Sequence, residues 1–77
     1  MASIWDANVE LKIDDRFHVI RNAREAVAFL MKSWPETKSE SYATARKICL
    51  DAANGEVPSA EARAAFEAAA KEAGLLR

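Results

Sequence analysis

The sequence predicts an α+β fold, an antiparallel β-hairpin packed against three α-helices, in one domain over residues 1–77. Three observations predict it. Apolar and polar residues alternate over 9–13, the period of a half-buried strand, and a turn cluster follows at once. Downstream, apolar residues recur at helical spacing in three separate stretches. Cap or breaker residues bracket each stretch, giving a hairpin over about 8–21 and helices over about 22–34, 40–54 and 59–74.

In the hairpin, Val9, Leu11 and Ile13 are apolar and Glu10 and Lys12 polar; Asp14-Asp15-Arg16 forms the turn, and Phe17-His18-Val19-Ile20 the second strand. A three-residue loop sets Ile13 opposite Phe17 and Leu11 opposite Val19, whereas a two-residue loop pairs Leu11 with His18. The first keeps the apolar side chains on one face and is the register the pattern favours.

Asn22 opens the first helix as a cap, with Glu25 three residues on to bond back. Ala23, Val27, Leu30 and Trp34 form its stripe, which Phe29 and Met31 widen, and Pro35 stops it. Glu36 to Ser39 is a polar linker. Ser39 or Ser41 caps the second helix, whose face of Tyr42, Ala45, Cys49 and Ala52 opposes Glu40, Thr44, Lys47 and Asp51; Asn54-Gly55 ends it. Ser59 is the expected cap of the third helix. Ala62, Ala65, Phe66, Ala69 and Ala73 make its inner stripe, and Arg63, Glu67 and Lys71 a ladder of charges four apart. Gly74 ends it, with Leu75 folding back on the last turn.

Composition bounds what such a chain does. At 77 residues it buries about 60% of its unfolded surface, for a net stability of roughly 3–5 kcal/mol. Seventeen of its apolar residues are alanine, so the core is built from few large side chains. Charge is balanced, with 11 basic and 12 acidic residues, and lacks the basic excess of a nucleic-acid or anionic-membrane binder. Cys49 is the lone cysteine, which excludes an internal disulfide and fits a reducing compartment. The start, Met-Ala-Ser-Ile-Trp-Asp, is no signal peptide, and no apolar run approaches the roughly 20 residues that span a bilayer. The expected location is the cytoplasm, with no membrane association.

The hairpin is followed by Asn22-Ala23-Arg24-Glu25-Ala26, Leu30 and Trp34-Pro35. Then come Tyr42, Ala45, Cys49, Asp51, Ala52 and Gly55, and last Ala62-Arg63-Ala64-Ala65-Phe66, Ala69-Ala70 and Glu72-Ala73-Gly74. This ordered set resembles the bacterial family called domain of unknown function 982, from about residue 5 to 75. The resemblance implies small single-domain bacterial proteins of this architecture. It implies no catalytic residue, because none is established in the family.

The candidate chemistry is sparse. Cys49 lies mid-helix in an apolar stripe, where a thiol is a small core residue rather than a nucleophile. His18, the one histidine, lies between Phe17 and Val19 and so points away from their face to solvent; it has no Cys/His cluster around it, and neither a metal site nor a cofactor is expected. Arg46 falls inside the apolar arc of the second helix. Its stem packs while its tip reaches water, unless it meets a carboxylate or an anion. Arg16, Arg21 and Arg24 cluster near the start of the first helix, but Asp14, Asp15 and Glu25 offset them, which argues against nucleic acid. Trp5 is read as a lid over the hairpin end and Trp34 as a core anchor.

The first helix carries the strongest functional hint. Its apolar arc spans more than half the wheel, wider than a surface helix needs. Either it is central, or Phe29 or Met31 is exposed as an association patch. A two-stranded hairpin also has unpaired edges, and edge pairing between two chains would complete a four-stranded sheet. The expected function is therefore a small non-enzymatic interaction or regulatory module with a protein partner or a second copy of itself. Phe29, Met31, Trp34 and Arg46 are the candidate binding residues. The alternative is a small-ligand or anion site at Arg46 near Trp34 and Tyr42, and the third reading is nucleic acid at Arg16, Arg21 and Arg24.

Overall fold

The computed structural model describes residues 4–34 and 39–76. Two strands and three helices follow in the order β1 (Ile4–Ile13), β2 (Arg16–Asn22), α1 (Ala23–Lys32), α2 (Glu40–Ala53) and α3 (Ser59–Glu72). The fold is the expected α+β one. β1 and β2 form an antiparallel hairpin, α3 packs against β1, α1 packs against β2, and α2 packs against both α1 and α3.

The register of the hairpin differs from the favoured one. Ile13 pairs with Arg16, Lys12 with Phe17, Leu11 with His18, Glu10 with Val19 and Val9 with Ile20. The loop is therefore two residues, Asp14 and Asp15, both left-handed at φ 49° and 67°. Two successive left-handed residues make the turn whose twist matches that of the strands, and aspartate tolerates the conformation. Turn geometry outweighs apolar matching here. Val9, Leu11 and Ile20 are buried in the core, whereas Phe17 and Val19 face outward, 58% and 41% exposed.

β1 also starts earlier than expected. Trp5 is buried rather than a lid at the rim, with its ring 5.9 Å from that of Phe66. A register shift separates the Ile4–Asn22 pair from the Val9–Ile20 pair. Within the shifted stretch, the Ala7 carbonyl accepts a 2.6 Å hydrogen bond from Arg63 Nε of α3. On the far side of β1, the Lys12 amide donates to the Leu75 carbonyl at 2.8 Å and Leu11 bridges Leu76 antiparallel. The C-terminal residues thus cover the edge of β1 that β2 leaves open.

The helix ends follow capping chemistry. Asn22 Oδ1 accepts from the Glu25 amide at 2.9 Å, as expected, but the Glu25 carboxylate accepts from the Arg21 amide rather than from Asn22. α1 closes at Lys32, two residues short of Trp34, where the Ser33 amide donates to Phe29. Pro35, the expected stop, and linker residues 36–38 lie outside the described residues. Ser39 caps α2 through the Tyr42 amide at 3.2 Å. Ser59 does not cap α3. The capping position is Pro58, whose carbonyl accepts from the Glu61 amide, and Ser59 is the first helical residue.

α2 and α3 end alike. Gly55 (φ 80°) and Gly74 (φ 74°) take the left-handed position after each helix. The amides of Gly55 and Glu56 donate to Ala52 and Asp51, and those of Gly74 and Leu75 to Lys71 and Ala70. Both pairs form the paired closure that satisfies the last carbonyls of a helix. It turns Leu75 back into the core, as the sequence suggests.

The core lies where the hairpin meets α1 and α3. Phe66, fully buried, sits at the centre of the aromatic group, with ring centroids 5.9 Å from Trp5, 6.2 Å from Phe29 and 6.1 Å from Trp34. Such tilted and edge-on contacts suit the ring quadrupoles and add about 0.5–1.5 kcal/mol each beyond burial. Alanines at 62, 69 and 70 let α3 approach its neighbours closely around that ring.

Candidate functional site

The four candidate binding residues do not form one surface. Phe29 belongs to the core, in edge-on contact with His18 at 5.2 Å, Trp34 at 6.0 Å and Phe66 at 6.2 Å. As a surface contact it is thus corrected: α1 turns Phe29 inward towards β2 and α3, and a charge placed there breaks the core. Trp34 is half-buried beside Phe29 and Tyr42. Met31 is 57% exposed on the outer side of α1. Arg46 is exposed on α2, and its side chain has no hydrogen bond or ion pair among the described residues.

Cys49 is sealed in the core. Its Sγ lies 3.6 Å from the Ala62 carbonyl, and burial pushes its pKa up to about 12, so at neutral pH it is a protonated thiol. His18 does not point to open solvent. In the observed register it shares the inner face with Leu11 and Ile20 and is half-buried against the Phe29 ring. Cys49 and His18 therefore sit on different elements and make no common cleft. Among the described residues no group of three or more His, Cys, Asp or Glu is placed to hold a metal ion. No helix among them is long and apolar enough to cross a membrane.

Among the described residues, two shallow grooves mark the outside. One, about 430 Å³, runs between α2 and α3 and is lined by Glu40, Ser41, Thr44, Ala65, Ala68 and Glu72. Ser41 Oγ donates to Glu72 Oε2 there at 2.7 Å, tying the two helices together. The other, about 340 Å³, runs between β2 and α1, with Val19, Ile20 and Arg21 on one wall and Glu25, Ala28, Phe29, Lys32 and Ser33 on the other.

The second groove adjoins the open edge of the sheet. β1 has β2 on one side and Leu75–Leu76 on the other, while among the described residues no segment pairs with the outer edge of β2. The phase of the hairpin fixes which groups look outward. Ile13 and Arg16 close the two-residue turn, so His18 and Ile20 aim their amides and carbonyls at β1, and Val19 and Arg21 aim theirs away. Two bonds agree with that phase. Lys12, on β1, donates away from β2 to Leu75, and the outward Arg21 amide donates to Glu25 Oε1 at 2.9 Å. Glu25 Oε2 also lies 3.7 Å from Arg21 Nη1. Of the expected basic cluster, Arg16, Arg21 and Arg24 are all exposed, but Arg21 is occupied by Glu25 and Asp14 and Asp15 stand beside Arg16.

That a two-stranded hairpin has open edges is legible in the sequence, but what the β2 edge carries is not, because Phe17 and Val19 read as core. A usable signal exists in Asp14-Asp15. Two residues that accept the left-handed conformation side by side admit the two-residue turn, and that turn alone sends Val19 outward.

Comparison with known families finds a match to a model described as "Protein of unknown function (DUF982)", over residues 7–77. No curated protein matches, and no solved structure does.

Proposed function

The chain belongs to the family of proteins of unknown function DUF982, and from that premise we propose that it is a small non-catalytic interaction module of the cytoplasm. Its contact surface is the outer edge of β2 with the groove beside it. One observation carries this reading. Among the described residues no strand pairs with β2 at Val19, next to a half-apolar groove, whereas the far side of β1 meets Leu75 and Leu76. Open edges are templates for pairing with another strand, and folds that have no use for them cover or charge them. Here Arg16 and Arg21 charge the ends of β2 and Glu25 holds the Arg21 amide, while the middle of the strand, at Val19, carries no charge.

The non-catalytic part of the reading is supported by Cys49, protonated and sealed, and by His18, packed on an aromatic ring. A reduced, buried thiol is in keeping with the cytoplasm. Met31 extends the exposed face of α1 beyond the groove.

A photo-crosslinking amino acid at Val19, in the cell that makes the protein, tests the reading. A covalent adduct with a polypeptide, absent when the same group replaces Leu50 on α2, is the expected result. No adduct from Val19, or an equal one from Leu50, overturns it.

A further inference from the structure

Residues 5–8 of β1 carry an inference of their own, separate from the interaction reading above. We propose that they form an arch that lifts off the core while the rest of the fold stays closed, with the Trp5 indole as its plug and the Arg63 guanidinium as its latch.

β1 pairs with β2 at Ile4–Asn22 and again at Val9–Ile20, so four residues of β1 stand against Arg21 alone and none of the four has a partner across the ladder. An insertion of this kind bends its strand and re-aims a side chain. Here it sends Trp5 into the core, 4% exposed, with its ring 5.9 Å from that of Phe66. The seat is imperfect. Among the described residues, Trp5 Nε1 is the one buried side-chain nitrogen or oxygen without a hydrogen-bond partner. A buried donor left unpaired bears the full cost of leaving water, and it recovers a partner once water reaches it. Lifting the arch therefore returns part of what undocking the ring loses, which favours opening about ten-fold over a ring with that proton satisfied.

Arg63 of α3 holds the arch shut. Its Nε donates to the Ala7 carbonyl at 2.6 Å, and Glu67, one turn on, steadies the guanidinium with Oε2 3.4 Å from Nη2. Among the described residues this is the one hydrogen bond from a side chain to residues 5–8. The strand is fastened more firmly just beyond. Val9 and Leu11 are buried, and the Lys12 amide donates to the Leu75 carbonyl at 2.8 Å, so opening stops at Val9. At the other end the Ile4–Asn22 pair stands alone. A segment with few ties, next to one with many, opens at a lower free energy than the whole molecule. When it does, the face of Phe66 that Trp5 covers is laid open.

Hydrogen exchange of the Trp5 indole proton, followed by NMR on the full chain, tests the inference, with the Cys49 thiol as the gauge of whole-molecule opening. Cys49 is sealed between α2 and α3, so a thiol reagent reaches it only when those helices separate. With each rate taken relative to that of the unprotected group, Trp5 is expected to open at least about ten-fold more often than Cys49. Arg63→Gln removes the latch and is expected to speed Trp5 exchange roughly ten-fold. Tyr42→Phe removes a bond between α1 and α2 that the lifted arch leaves intact. It is expected to speed Cys49 labelling roughly ten-fold and to leave Trp5 exchange unchanged. Equal opening of Trp5 and Cys49 in the wild type, a Tyr42→Phe change that speeds both alike, or Trp5 exchange indifferent to Arg63→Gln overturns the arch as a separate unit.

Discussion

Tyr42 of α2 donates its phenolic proton to the Leu30 carbonyl of α1 across 2.6 Å, within the buried core. Leu30 lies in the last turn of α1, where a carbonyl has no helical amide to accept from. A neighbouring helix supplies what the terminated one lacks. The same bond fixes how α2 crosses α1.

Tyr42→Phe deletes that donor and keeps the ring. A buried carbonyl is then left without its partner, and such a loss costs about 1–3 kcal/mol. Urea denaturation is expected to show the midpoint falling with an unchanged slope.

Phe66→Ala empties the centre of the aromatic group. A large cavity of this kind costs about 3–5 kcal/mol, comparable to the roughly 3–5 kcal/mol available to a chain of this size. The variant is expected to be largely unfolded at 25 °C by near-ultraviolet circular dichroism.

Asp14 and Asp15 hold φ of 49° and 67°, and the left-handed region costs an ordinary L-residue about 1–2 kcal/mol. Asp15→Gly relieves part of this in the turn where glycine is favoured at that position. A gain of about 0.5–1 kcal/mol, seen as a rise in Tm, is expected. A fall in Tm instead shows that the aspartate side chain anchors the turn.

The Cys49 thiol ionises near 9.0 when the chain unfolds and near 12 in the fold, because burial disfavours the thiolate. The folded value is the higher one for an acid, so the unfolded chain loses its proton first. Stability is intact below about pH 9 and declines as pH rises towards the folded value, by on the order of 1 kcal/mol between pH 8 and pH 10. Cys49→Ala abolishes this portion of the alkaline decline, to be read by denaturation at both pH values. An identical decline in the variant sinks the assignment.

The helices were legible in the sequence because their signals are local. Apolar spacing, Asn22 and Ser39 as caps, and Gly55 and Gly74 as stops each act within a turn or two of the chain. Ser59 misled, since Pro58 took the capping position and left it inside the helix. The hairpin was legible in kind but not in register. Phe17 and Val19 are apolar enough to argue for the core, and only the backbone preference of Asp14 and Asp15 opposes them. The reach of Arg63 to Ala7 spans 56 residues, and no spacing rule anticipates it. Phe29 shows the limit of the helical wheel. The wheel gave a wide apolar arc, but only the packing of His18, Trp34 and Phe66 decides which flank of the arc is inside, leaving Met31 out. The open edge follows from there being two strands, but which side chains flank it depends on register and was hidden with it.

The bridge from Leu11 to Leu76 joins positions separated by nearly the whole chain. The hairpin turn can zip locally, yet the flank of β1 stays bare until residues 75 and 76, far along the chain, have been made and docked. A chain still short of that contact therefore carries a second sticky margin and sheds it only when the fastening closes. Attaching bulky cargo immediately after residue 76 would act on that final fastening, and so on the whole molecule's speed of maturation, well before it touched any binding surface.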